Sequence, residues 1–298
     1  MTINEPETKT NEQREKIKLA FTKQLIGGVL AIVTTVNQAT VAETYGARGV
    51  IVMNYKYNTA TIKDQAPRGT DPVVIRSIMG AVHLPVIGRV RLGHIAEARI
   101  MQACGVSAIE ECADVGVAYK KNIEKHSFNV PVICYANNLE SALQRISEGA
   151  TMIVSKDYGV EAAGGSNLES VPNIYIIVEI YEKIQKEIVI VSQNNEKKLL
   201  EYAKQIDVPL QILREVVNLK RLNVPFFAGG GVMLPLDVAM LMRVGYDGVV
   251  ASNQLFAAPN AEKRMRSLVM ATVHYKDPKW LAYISENIGG PGSYQAIY

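Results

Sequence analysis

From residue 29 onward, short runs of β-branched and other apolar residues alternate with longer segments whose apolar positions recur at i, i+3 and i+4. These are the spacings of strand and helix. The short runs predict strands at Val29–Thr34, Gly49–Asn54, Pro85–Val90, Ala108–Glu111, Pro131–Ala136, Thr151–Lys156, Pro225–Gly230 and Gly248–Ser252. They are continuously apolar, which suits a sheet covered on both faces. The longer segments predict helices at Asn37–Tyr45, Pro72–Val82, Ile95–Cys104, Leu139–Glu148, Leu236–Val244 and Glu262–His274. Four of them pass to the next strand in the same way: AETYGARGVIV, MQACGVSAIEE, RISEGATMIVS and LMRVGYDGVVAS each set a glycine where a positive φ stops the helix. One βα module is reused. Eight modules predict an α/β chain folded as a (β/α)8 TIM barrel, one domain over 1–298; a doubly wound sheet would more often show five or six strands and a glycine-rich fingerprint after the first.

Two stretches depart from the repeat. Residues 1–26 form an N-terminal extension whose amphipathic helix, 11–26, spaces Ile17, Phe21 and Leu25 by four. It reads as a lid over the bottom of the barrel or as a docking helix for a partner. Residues 157–224 form an elaborated crossover after the sixth strand, with a polar loop, DYGVEAAGGSNLESVPN, and then two or three successive helices, over about 173–187, 196–206 and 209–219.

Composition narrows the class. With 298 residues, 48% hydrophobic and 20% charged, disordered and fibrous chains are out. Lys+Arg 32 against Asp+Glu 29 leaves a scattered net +3, with no basic stripe for a nucleic acid. No apolar run reaches the roughly 18 residues of a membrane span, and the polar start MTINEPETKTNEQREKIK is no secretory or transit signal. A soluble, cytoplasmic protein is expected. Three cysteines without a CxxC and four scattered histidines predict no metal site.

In such barrels the reactive residues project from the C-terminal ends of strands, and phosphate is often held after strands seven and eight. Phe227-Ala228-Gly229-Gly230-Gly231 could offer bare backbone N–H groups to an anion, or simply allow a tight turn. Ser252, Asn253 and Gln254 open toward the next helix, whose N-terminus would favour negative charge. Arg89, Arg91, Glu110, Glu111 and Lys156 also stand at strand ends. Adjacent strand residues face opposite sides, so one of Glu110 and Glu111 reaches the lumen. Lys156 is the best nucleophile, since a lysine partly withdrawn from water can form an imine; the alternative is a lysine snorkelling to the rim.

These residues resemble the synthase (PdxS/Snz) subunit family of glutamine-dependent pyridoxal 5′-phosphate synthase. The carriers are GGV at Gly27–Val29, NQATVAE at 37–43, the RLGH-x-x-EAR block at Arg91–Arg99, FAGGGV at 227–232 with Pro235 and Asp237, and MLMRVGYDGV at 240–249. The resemblance implies a (β/α)8 barrel in hexameric rings stacked as a dodecamer, fed with ammonia by a glutaminase partner. It implies condensation of that ammonia with ribose 5-phosphate and glyceraldehyde 3-phosphate through imines on two lysines. No metal or cofactor is required, and pyridoxal 5′-phosphate is the product.

At the chemistry the match breaks. Ile32 stands where the family's GGVIMDV has its aspartate, and Arg89 stands where a segment like VMAKARIGH has its sugar-binding lysine. An imine needs a free amine, and a guanidinium does not lose its proton in a protein. The second lysine matches Lys156, but the arginine two positions before it is Val154, and the Gly-Thr-Gly phosphate loop after it is DYGVEAAGGSN. The GSG after strand eight is Ser252-Asn253-Gln254; the acidic YIDES is AIEEC, which keeps Glu110; the loop after strand two is a shorter KYNTATIKDQAPRG. The resulting expectation is a non-catalytic paralogue that co-assembles with active synthase subunits and regulates or stabilises them. The alternatives are an active synthase working through Lys156, and a sugar-phosphate sensor built on Arg89 and Arg91.

Overall fold

The computed structural model describes residues 10–53, 69–112, 122–155 and 174–288. Eight parallel strands close into a barrel in sequence order, each paired with its neighbours and the last with the first. They are β1 Val29–Val33, β2 Gly49–Val52, β3 Val86–Arg91, β4 Ala108–Cys112, β5 Val132–Tyr135, β6 Met152–Ser155, β7 Phe226–Val232 and β8 Gly248–Ala251. Each begins and ends within two residues of the predicted strand, although the predicted ends Asn54 and Lys156 lie outside the described residues.

The lumen holds a compact apolar plug made of alternate residues from every strand: Leu30, Ile51, Ile87, Ala108, Ile133, Met152, Val154, Phe227 and Val250. The intervening residues face the helices and build the larger outer core. This parity explains the continuous apolar runs: both faces are buried, so neither admits a polar alternation.

The helical layer is α1 Asn11–Lys23, α2 Val36–Thr44, α3 Pro72–Met79, α4 Ile95–Cys104, α5 Leu139–Ser147, α6 Ile174–Ser192, α7 Glu196–Gln205, α8 Leu210–Leu219, α9 Pro235–Val244, α10 Ala261–His274 and α11 Pro278–Ser285. The four predicted helix stops, Gly46, Gly105, Gly149 and Gly245, all have positive φ. The long crossover contributes three helices, the larger of the two expected numbers, and α6 extends to Ser192. Its buried Ile177, Ile180, Ile184, Ile188 and Val191 continue one stripe past residue 187. α11 is an addition to the predicted set. Its signature was in the chain: Asp277 accepts from the N–H groups of Lys279 and Trp280, with Pro278 in the first turn.

α1 begins with a capping box between Thr10 and Gln13. It closes the N-terminal end of the barrel, the lid of the two readings. Phe21 and Leu25 pack on the lumen plug, and the buried Thr22 hydroxyl donates to the Thr151 carbonyl at 2.7 Å, just before β6. The helix stops at Lys23. Ile17 stays half exposed. The connection from β4 to β5 carries a single 3-10 turn, Lys125–Ser127, among its described residues.

Candidate functional site

The C-terminal ends of β3, β4 and β5 bring together Arg89, Glu110 and Tyr135. Strand parity puts them two residues beyond Ile87, Ala108 and Ile133, on the lumen side. Arg89 and Glu110 are direct register partners, and both are buried. The guanidinium forks onto the carboxylate, with Nε 2.5 Å from Oε2 and Nη2 3.3 Å from Oε1. The Tyr135 hydroxyl donates to Oε1 as well. Arg89 Nη1 lies 3.4 Å from the Met53 sulfur, at the end of β2. Burial works against the charge of Arg89, but the adjacent Glu110 carboxylate outweighs it and raises the guanidinium pKa further above its already high value. Burial and the same carboxylate push the Tyr135 phenol far up, so it stays a donor. The cluster is a permanently charged, internally neutralised ion pair with no free amine on it.

Ile32 sits at the lumen side of β1, beside Ile51 of β2. It offers the mouth a hydrocarbon where acid–base work would need a titratable group. Glu111 points the other way, as parity requires. It accepts from the N–H groups of Gly93 and Ile123, both at 2.9 Å. The Lys125 amine lies 3.1 Å away. Lys125 is fully buried and also binds Glu148 at 2.7 Å. Burial by itself would lower its pKa; the neighbouring Cys134 sulfur and the Glu111 and Glu148 carboxylates prevail and raise it, so this lysine is held protonated in the barrel wall.

Arg91 is occupied too. Its Nε and its backbone N–H each lie 2.9 Å from the Glu97 carboxylate, which also accepts from Gly69 N–H at 2.8 Å. The RLGH-x-x-EAR block is therefore a latch: a carboxylate on the first turn of α4 ties the end of β3 to the segment entering α3.

The glycine run of β7 forms a bulge. Ala228 pairs with Val249 and Val232 with Ala251, so three glycines face the single residue Val250. Gly230 and Gly231 adopt φ of 91° and 69°. A side chain on Gly229 would meet Val154 Cγ1 at 2.7 Å and the Ser155 carbonyl at 2.9 Å, so packing against β6 already demands glycine there. Gly230 and Gly231 remain partly accessible at the mouth. After β8, the Ser252 N–H donates to the Val232 carbonyl. Its hydroxyl accepts from Gln254 N–H at 3.3 Å, capping a 3-10 helix that starts at Asn253. This short helix precedes α10 and is an addition to the predicted elements.

Lys156, the loop DYGVEAAGGSN and the loop KYNTATIKDQAPRG lie outside the described residues. Among the described residues no cluster of His, Cys, Asp and Glu could hold a metal ion, and no helix is long and apolar enough to cross a membrane. Sequence reasoning missed Tyr135, which the alternation with Ile133 could have placed in the lumen. It missed Lys125 for a better reason, since a lysine in KNIEKHSF carries no local mark of burial.

Comparison with known proteins adds an independent observation. Residues 14–229 match the model of the SOR/SNZ family. The chain is similar to the pyridoxal 5′-phosphate synthase subunit SNZERR of the sponge Suberites domuncula, 38% identical over 295 residues, covering 97% of this chain and 93% of the relative. It is 40% identical over 279 residues to the pyridoxal 5′-phosphate synthase subunit PdxS of Thermus thermophilus, covering 93% and 91%. Among solved structures, thiamine phosphate pyrophosphorylase from Pyrococcus furiosus superposes with a TM-score of 0.53 at 11% identity, over 86% of this chain and 99% of that one. At that identity the likeness speaks for the barrel alone.

Proposed function

The chain belongs to the SOR/SNZ family, and from that membership we propose that it is a PdxS/Snz-type subunit of pyridoxal 5′-phosphate synthase that does not itself perform imine chemistry on the pentose. In this reading it keeps the barrel, joins active subunits in hexameric rings stacked into a dodecamer, and regulates or stabilises vitamin B6 synthesis. A glutaminase subunit is a candidate partner, and pyridoxal 5′-phosphate is the product of the assembly.

The observation that carries the reading is Arg89. Its guanidinium occupies the lumen end of β3, forked onto the buried Glu110, and it has no free amine to attack a carbonyl. Ile32 supports it, since the lumen end of β1, two strands from Arg89, carries a hydrocarbon in place of a proton donor or acceptor. The competing reading, an active synthase working through Lys156, draws on the names of the relatives and on Glu110, an acid kept at the lumen. A sensor gripping sugar phosphate with Arg89 and Arg91 has less support, because both forks already hold carboxylates.

The test is intact-mass spectrometry of the protein alone with ribose 5-phosphate, followed by native mass measurement after co-expression with an active subunit from the same source. Unmodified mass and mixed rings are expected. A covalent pentose adduct on this chain overturns the reading in favour of the Lys156 enzyme.

A further inference from the structure

Four consecutive strand ends span the lumen mouth with one continuous set of contacts: Met53 after β2, Arg89 of β3, Glu110 of β4 and Tyr135 of β5. Both oxygens of the Glu110 carboxylate are taken, Oε2 by Arg89 Nε and Oε1 by Arg89 Nη2 and the Tyr135 hydroxyl. Tyr135 lies nearer solvent than Arg89 and Glu110, which are buried. Its ring packs on the lumen plug and remains partly accessible.

We propose that this belt is a built-in plug, and that Tyr135 is the residue that keeps a phosphorylated aldehyde from reaching the end of β3. The inference rests on the silent-subunit reading and deepens it: the pocket is closed by its own side chains as well as lacking an amine. A carbonyl approaching residue 89 has to displace the Tyr135 hydroxyl, which costs the Glu110 carboxylate one of its hydrogen bonds. A lysine placed at 89 would inherit Glu110 as a direct neighbour. The resemblance implies the same pairing in active members, a lysine beside the acid of YIDES, so the carboxylate by itself does not silence the amine. Replacing the arginine leaves the Tyr135 side chain across the mouth; removing Tyr135 as well opens the mouth and admits the sugar.

The experiment uses the full chain and ribose 5-phosphate with sodium cyanoborohydride. The amine attacks the aldehyde carbon and, with one proton taken from solvent, water leaves to give the iminium; hydride from the cyanoborohydride then adds to that carbon and the nitrogen keeps its one proton. The product is a stable secondary amine read by peptide mapping of residue 89. Four proteins are compared: the native chain, Arg89→Lys, Tyr135→Ala, and the double variant. Residue 89 is expected to be labelled only weakly in Arg89→Lys and about tenfold more in the double variant, the size of one lost hydrogen bond to a charged group. Equal labelling of single and double variants overturns the proposal, as does a folded double variant that stays unlabelled. If the double variant does not fold, Tyr135→Val, a residue suited to a strand, takes the place of alanine, and strong labelling in Arg89→Lys alone is sufficient to refute the plug. Labelling of the native chain at a different lysine leaves the plug standing and overturns the silent-subunit reading instead.

Discussion

Glu110 and Glu111 are neighbours in sequence, and each anchors a buried ion pair, but the two pairs belong to different regions of the molecule. Glu110 faces the lumen and meets Arg89 and Tyr135. Glu111 faces the wall, where it meets Lys125, two backbone N–H groups and the Cys134 thiol at 3.6 Å. The chemistry of the ingredients is alike. What differs is what surrounds them: the wall pair ties the segment before β5 to the loop after β3, whereas the lumen pair lies at the barrel end where substrates enter this fold. A buried, charged lysine thus belongs to the wall in one region, and an arginine of like burial stands at the lumen end in the other. Charge and burial do not reveal function until the face of the sheet is known.

The sharpest way to break the comparison is to remove one partner in the wall. Lys125→Met leaves Glu111 charged and dry, and the expected loss is roughly 3–5 kcal/mol of stability in urea unfolding. A loss below about 1 kcal/mol would show that the wall pair holds nothing together. The lumen pair, removed whole, should behave in the opposite sense. Arg89→Met with Glu110→Leu and Tyr135→Phe replaces every member by an apolar group, and stability is expected to stay level or rise by about 1–4 kcal/mol. A large loss there would mean that the lumen pair is also scaffold.

The smallest effect is on the alkaline side. Burial pushes Cys134, Tyr135 and Tyr246 above their ordinary pKa values. The unfolded chain releases these protons near about 8.5 for the thiol and about 10 for the phenols, so above those values the native state holds more protons than the unfolded one. Stability is therefore full below about pH 8.5 and falls as pH rises beyond it. Urea midpoints between pH 8 and 11 should show the decline. Cys134→Ala should remove the wall contribution and Tyr135→Phe part of the lumen contribution. Identical profiles for both variants and the native chain would contradict this.

Much of the candidate site could be read before the fold was seen, because it lies on strands. Period-two alternation places Arg89 and Glu110 on the same side as Ile87 and Ala108, and a guanidinium excludes imine chemistry wherever it stands. The glycine run is different. As a string it permits an anion cradle or a turn, and the β6 side chain and carbonyl against Gly229 together with the register shift against β8 make it a bulge. Ser252 likewise read as a phosphate contact, and its hydroxyl is engaged by its own turn.

The chain alone determined the βα repeat, the eight strands, the helix stops and the lumen side of Arg89 and Glu110, because each depends on backbone preferences and spacing within about ten positions. The partners of Arg89, Arg91 and Glu111 were decided by the closed barrel, which brings together groups 6 to 36 residues apart. The burial of Lys125 was decided there as well. An ion pair's worth depends on the solvent it has lost, and only packing across the strands sets that.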